Sequence, residues 1–266
     1  MSLLRANNLT IKFGGLTAVS DVSLNLSEHD LVGLIGPNGA GKTTIFNMLT
    51  GVYSPTSGTI EFNGEFIQGI KPYEITKKRI SRTFQNIRLF KNLTVLDNVK
   101  ISFDYNVKYN LFHSMFRLPR FHKEEAEIEK RALEILKVFK LEGKKAELAC
   151  NLPYGEQRRL EIARALAAKP KLLLLDEPAA GMNPQETHEL MNLINWVRHE
   201  FDIAILLIEH DMKLVMGVCE RIIVVDYGKV IAEGSPDEIK NDPKVIEAYL
   251  GEEVADAYFG EEVADA

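Results

Sequence analysis

The sequence predicts an α/β fold with a parallel-sheet core, an antiparallel β region near the N-terminus and a helical block inserted in the middle. Three observations lead there. Short apolar runs, LVGLI at 31–35, KLLLLD at 171–176 and IAILLIEH at 203–210, have the length and content of buried parallel strands. Helical patterns alternate with them. From about Leu93 to Ala149 the strand-like runs give way to helical spacing, a break that fits an inserted lobe.

In chain order, residues 3–13 and 16–26 alternate as two antiparallel strands around a Gly14–Gly15 turn. LVGLI then feeds GPNGAGKTT and a helix, TIFNMLTG, that ends at Gly51. SGTIEFNGE reads as a hairpin. LTVLDNVKISF and KEEAEIEKRALEILKVF read as helices; on the second, Leu133, Leu136 and Lys137 fall at helical spacing with charge on the other face. Between them NLFHSMFRLPRF is aromatic, basic and poorly periodic. Its Phe112, Met115, Phe116 and Phe121 are expected to pack inside the lobe or to line a groove for a partner helix. NLPYGEQRRLEIARALAAKP joins a turn-like start to a basic and then apolar helix. PQETHELMNLINWVRHE is a helix with Pro184 as its first residue, and RIIVVDYGKVIAEG is a late hairpin.

Gross composition narrows the class. A chain of 266 residues suits one large α/β domain, or a domain with a smaller lobe, and 45% hydrophobic content supports a core. The apolar runs stay well below the ~18 residues of a membrane span, and MSLLRANN lacks the apolar stretch of a signal peptide. The expected location is the cytoplasm. Cys150 and Cys219 suggest no disulfide framework and read as free packing residues. Net charge is −6, but the last 15 residues hold six acids and no base; without them 32 acids face 32 bases. A neutral body gives no nucleic-acid footprint. The same tail carries a tandem repeat, YLGEEVADA then YFGEEVADA (249–266), too short and too few for a solenoid. It reads as a duplicated terminal segment, with an acidic docking tail as the alternative.

The chemistry begins at GPNGAGKT, Gly36 to Thr43, which fits G-x-x-x-x-G-K-[ST] between a strand and a helix. Gly36, Pro37, Asn38, Gly39, Ala40 and Gly41 would wrap a phosphate chain with backbone N–H groups, aided by the helix N-terminus at Thr44. Lys42 would reach the β- and γ-phosphates, and the Thr43 hydroxyl would bind Mg²⁺. LLLLDE places Asp176 and Glu177 at the end of a buried strand. Asp176 would hold Mg²⁺, directly or through water, and Glu177 could orient and deprotonate an attacking water. Taken alone, Gln85 reads as an exposed glutamine, His210 as a structural histidine and Phe13 as a core residue.

The order of these motifs decides their meaning. Phosphate loop, Gln85, helical block, LPYGE, Asp176–Glu177 and His210 follow each other as in the ATP-binding subunit of ABC transporters, which the chain resembles over nearly its whole length. The resemblance implies a P-loop NTPase cassette with a mixed sheet core, an N-terminal antiparallel β-subdomain and an inserted α-helical subdomain. Residues 1–250 would form one ABC ATPase domain, its core and β-subdomain at about 1–85 and 165–250, its helical subdomain at about 86–164, with 251–266 as the acidic tail.

The resemblance also implies roles. Phe13 would stack on adenine. Gln85 would touch Mg²⁺ and the attacking water while linking to the helical lobe, and His210 would contact the γ-phosphate. Leu152, Pro153, Tyr154, Gly155 and Glu156 match the signature, usually L-S-G-G-Q, and would serve the ATP held by a second subunit. Ala179 to Asn183, with Ala180, Gly181 and Met182 between, would cross the dimer. Two departures stand out. Pro153 replaces the signature serine and brings neither hydroxyl nor N–H, so contact to phosphate falls to neighbours such as the Gly155 N–H and to the helix dipole. Asn183 replaces the usual Asp.

YGEQRRLEIARALAAKPKLLLLDEPAAGMNP, IEHDMKLVMGVCERIIVVDYGKVIAEGSPDEI and AYLGEE resemble the branched-chain amino acid transporter ATPases, and of the two sister subunits the longer one. Urea and amide importers and the lipopolysaccharide exporter ATPase share much of this wording. The implied partners are a second ABC ATPase subunit, two transmembrane permease subunits and, indirectly, an external solute-binding protein, with no nucleic acid. The implied place is peripheral, on the inner face of the cell membrane. Non-transport ABC ATPases usually insert long coiled coils or carry two cassettes, and the sequence shows neither.

Overall fold

Strand alternation sets the layers. In the computed structural model, which describes residues 2–106 and 119–249, six strands form the central sheet: β3 (Leu31–Ile35), β6 (Ile80–Arg82), β7 (Leu172–Asp176), β8 (Ala204–Ile208), β9 (Arg221–Asp226) and β10 (Lys229–Gly234). Their order is β10-β9-β3-β8-β7-β6, parallel except for the β9–β10 hairpin. Successive side chains of a strand face opposite ways, so each strand feeds two cores. Leu173, Leu175, Ile205, Leu207, Ile222 and Val224 join the helices on one face. Leu172, Leu174, Leu206, Ile208, Ile223 and Val225 join the other. Strands buried on both faces need continuous apolar sequence, which is why LLLLD and AILLI carry so little polarity.

The second face is covered by α1 (Lys42–Leu49) and by an antiparallel sheet, β2-β1-β4-β5, built from β1 (Ser2–Phe13), β2 (Leu16–Ser27), β4 (Ser57–Phe62) and β5 (Glu65–Phe66). Ile45, Phe46, Met48 and Leu49 of α1 lie between the two sheets beside Leu4, Leu9 and Leu24. All three predicted hairpins form, the second around Asn63–Gly64 at φ 51° and 81°.

The first face carries α3 (Val95–Lys100), α4 (Pro119–Val138), α5 (Tyr154–Ala167), α6 (Pro184–Glu200) and α7 (Met212–Val218), with short α2 (Pro72–Lys77) and α8 (Pro236–Lys240) beside the sheets. Three expectations need correction. LTVLDNVKISF is not one helix: α3 tightens at Ile101 into a 3₁₀ turn that runs to Asn106. On α4 the buried stripe is Ile128, Ala132, Ile135 and Leu136, continued by Phe139 just beyond its end, while Leu133 is half-buried and Lys137 exposed. A lysine at helical spacing with leucines sits at the rim, where its ammonium keeps its water. Cys219 is a buried packing residue, its thiol pushed up to about 12 by burial, whereas Cys150 is exposed rather than part of the core. Phe112, Met115, Phe116 and the duplicated tail lie outside the described residues.

Candidate functional site

The site grows from the carboxyl ends of four neighbouring parallel strands, the edge where open α/β sheets bind ligands. Register aligns Leu34, Ile208 and Asp176 across β3, β8 and β7. The chain just beyond these residues therefore converges: Gly36 after β3, His210 after β8, Glu177 after β7 and Gln85 after β6.

After β3 the backbone turns where only glycine fits. Gly36 has φ 148°, and a Cβ there would stand 1.9 Å from the Val225 carbonyl oxygen. Gly41, at φ 102°, caps α1, and a Cβ there would meet the Ala18 carbonyl at 2.9 Å. The Ala40 N–H donates to Pro37 at 3.2 Å, closing the loop. Lys42 is buried and folds back, donating to the Gly36 and Pro37 carbonyls at 2.6 and 2.7 Å. Thr43 is exposed and Thr44 half-buried on the first turn of α1.

Among the described residues four helices are closed by a side-chain cap. Thr94, Asn183, Asp211 and Ser235 cap α3, α6, α7 and α8 with their own side chains. No side-chain cap bond closes α1 or α5, whose N-caps are Gly41 and Pro153. The first N–H groups of both helices are thus not satisfied by a cap, and their dipoles favour an anion.

Glu177 sits at φ 47°, a left-handed conformation uncommon for its type, costing of order 1–3 kcal/mol. Its N–H donates to the Ile208 carbonyl at 2.9 Å, which locks the turn. One carboxylate oxygen, Oε2, accepts from Gln85 Nε2 at 2.7 Å, and the other, Oε1, lies 2.7 Å from His210 Nε2. Three residues distant in sequence thus form one hydrogen-bonded array. Beside it, buried Asp176 pairs through Oδ2 with Arg82 Nη2 at 2.6 Å, while Oδ1 is buried with no hydrogen-bond partner among the described residues. An orphaned carboxylate oxygen next to the phosphate loop fits a hard divalent cation, and the Thr43 hydroxyl is a second oxygen donor.

Phe13 ends β1 opposite Leu16, two residues from the Ala18 carbonyl that borders Gly41. The residue is 43% exposed and its ring meets Tyr53 edge to face at 5.2 Å, so it offers an aromatic surface near the loop. The signature residues lie elsewhere. Leu152 is buried, Pro153 and Tyr154 are exposed at the start of α5, Gly155 abuts the Glu186 carboxylate, and Glu156 pairs with Lys144 at 2.7 Å. Ala180, Gly181 and Met182 lead to Asn183, whose side chain accepts from the Gln185 and Glu186 N–H groups at 3.0 and 2.9 Å. The Asn that replaces an acid there is a helix cap.

Sequence reasoning missed four groups. Arg82 joins Asp176 to Asn47 and Thr50 of the α1 end, at 2.7 and 3.3 Å. Buried Glu209 accepts from the Ala179 and His210 N–H groups, and burial pushes its carboxyl up despite them. Tyr53 braces Phe13. Arg158 and Glu161 form a fully buried pair. The available signal was a charge inside an apolar pattern: Arg82 at the end of ISR, and Arg158 and Glu161 among Leu160, Ile162 and Ala163.

Comparison with known proteins agrees with this geometry. The ABC transporter family matches residues 19–180, and a branched-chain amino acid ATP-binding cassette transporter family matches residues 229–255. The chain is 49% identical over 250 residues to the high-affinity branched-chain amino acid transport ATP-binding protein LivG of Salmonella typhimurium, covering 94% of this chain and 98% of that protein. It is 46% identical to the corresponding BraF of Pseudomonas aeruginosa, with the same coverage. Among solved structures, the ADP conformation of MJ1267, an ATP-binding cassette of an ABC transporter, aligns with a TM-score of 0.82 at 33% identity, covering 94% of this chain and 99% of that one. By fold, site and relatives, the chain belongs to the ATP-binding subunits of ABC transporters.

Proposed function

We propose that this ATPase powers an importer of branched-chain amino acids, working as one half of an ATPase dimer on two membrane permeases fed by an external binding protein. The observation that carries the hydrolytic reading is the Gln85–Glu177–His210 array at the strand ends beside the phosphate loop. The ATP phosphates lie in the loop Gly36–Thr44, with Lys42 swinging from its two loop carbonyls to the β- and γ-phosphates. Phe13 stacks on adenine. Glu177, already held by two partners, orients the attacking water and takes its proton. Gln85 positions the same water and reaches the metal, and His210 contacts the γ-phosphate. Thr43, Gln85 and Asp176 are the residues that would hold Mg²⁺, which supplies charge neutralisation on the phosphates.

The signature Leu152–Glu156 serves the nucleotide of the second subunit, supported by its uncapped helix end and by its described contacts to Gly181, Glu186 and Lys144. Ala180 to Asn183 cross that dimer. On this reading the core and β-subdomain occupy about 1–85 and 165–250, the helical subdomain about 86–164 and the acidic tail 251–266. Among the described residues no helix is long and apolar enough to cross a membrane. The proposed transport path runs through the permeases, with this subunit at their inner face. The branched-chain solute rests on the named relatives.

Glu177→Gln tests the hydrolytic reading. It should slow hydrolysis by ~10²–10⁴-fold, the usual cost of a positioned base, while ATP binding persists and ATP traps a stable dimer. Hydrolysis within threefold of wild type at saturating Mg²⁺ would show that Glu177 is not the base.

A further inference from the structure

One turn beyond its signature end, α5 carries a charged pair that its apolar packing does not require. Arg158 is 0% exposed and Glu161 1%, with Arg158 Nη1 donating to Glu161 Oε2 at 2.8 Å. Both reach out of the helix to one loop. Arg158 donates to the Phe84 carbonyl at 2.6 Å and to the Gln85 carbonyl at 2.7 Å. Glu161 accepts from the Arg88 N–H at 3.0 Å. Segment 84–88 is therefore gripped at three backbone points, leaving the Gln85 side chain free to reach Glu177. Arg158 Nη2 also approaches the Tyr154 hydroxyl at 3.4 Å, and the Tyr154 ring lies where a Cβ on Gly181 would touch it at 3.3 Å.

A buried ion pair is weak evidence for stability, because well-packed apolar residues often replace one at no loss. What this pair adds is direction: two forked donors and a carboxylate fix a loop that has no regular structure of its own. We propose that Arg158 and Glu161 are positioning residues that make the Gln85 segment and the signature end of α5 one rigid unit. Gln85 then meets Glu177 of its own site only in register with the signature segment offered to the partner's nucleotide. The proposal rests on the hydrolytic role of Gln85 given above.

The test is Arg158→Met with Glu161→Leu, which leaves no unpaired buried charge. Melting temperature should fall only modestly, because no charge is left unpaired although the Phe84 and Gln85 carbonyls and the Arg88 N–H lose their partners, and affinity for a fluorescent ATP analogue should stay within threefold. The kcat should fall about 10²-fold with KM unchanged, the order expected for a misplaced reacting group. If the pair acts through Gln85, Gln85→Ala alone should cost as much, and adding it to the double variant should cost nothing more. Should the double variant not fold, Arg158→Lys carries the same comparison, since it keeps the charge but loses the fork that spans two carbonyls. A kcat within threefold of wild type overturns the proposal. So do losses that multiply with Gln85→Ala, which would make the pair a general support of the fold. A Gln85→Ala variant of wild-type rate instead overturns the underlying role of Gln85.

Discussion

Arg82→Met isolates the electrostatics under the site. The Arg82 and Asp176 side chains are 7% and 3% exposed and 2.6 Å apart. The guanidinium also lies 5.5 and 5.0 Å from the Phe46 and Phe84 ring centres. Methionine has a similar apolar stem and can fill the space between those rings, so the substitution removes charge more than packing. Asp176 is left as a buried carboxylate without its cation, and Oδ1 already has no hydrogen-bond partner among the described residues. Breaking such a pair from one side costs about 3–5 kcal/mol. At roughly 2–4 °C per kcal/mol for a chain near this size, melting should fall by roughly 6–20 °C. Adding Asp176→Asn removes the uncompensated charge and should recover most of the loss. The assay is thermal unfolding of wild type, both single variants and the double variant, without nucleotide or metal, read as a double-mutant cycle. A loss below about 1 kcal/mol for Arg82→Met, or a double variant no more stable than that single one, would refute the argument that this pair is a tightly coupled buried charge.

Other outcomes follow from the same geometry. Lys42→Ala should lose nucleotide binding, because it removes the one cation inside the phosphate loop; an unchanged affinity for a fluorescent ATP analogue would mean that the loop holds no phosphate. Gly36→Ala should not give a folded, ATP-binding protein, since its Cβ would stand 1.9 Å from the Val225 carbonyl oxygen; normal titration would show that the loop can rearrange. The Glu209 carboxyl is raised above its ordinary 4.5, chiefly by burial, so the folded chain keeps this proton after the unfolded chain has lost it. Its contribution to stability is therefore greatest below that value and falls as pH rises toward the folded pKa, then levels off. Urea unfolding of Glu209→Gln should show a smaller decline over that window than wild type, and identical pH profiles would remove Glu209 as the cause.

Much was determined by the sequence alone, because it is local. A strand buried on both faces must be continuously apolar, so LLLLD and AILLI announce themselves. A phosphate loop needs its glycines and lysine at fixed spacing, so Gly36 to Thr43 can be read directly. Gln85, Glu177 and His210 were nameable by their order, yet their hydrogen bonds depend on three strand ends lying side by side, and strand order is a long-range property. Arg82, Arg158 and Glu161 were decided only by the tertiary structure. A charge is stable in an interior only when its partners arrive from elsewhere in the chain. Arg158 and Glu161 pair with each other at i,i+3, but the other partners, Asp176 94 residues from Arg82 and the Phe84 and Gln85 carbonyls more than 70 from Arg158, leave as local sign only a charge inside an apolar pattern. The same holds for the stripe of α4, where spacing admits several faces and only the neighbouring helices select Ile128, Ala132, Ile135 and Leu136.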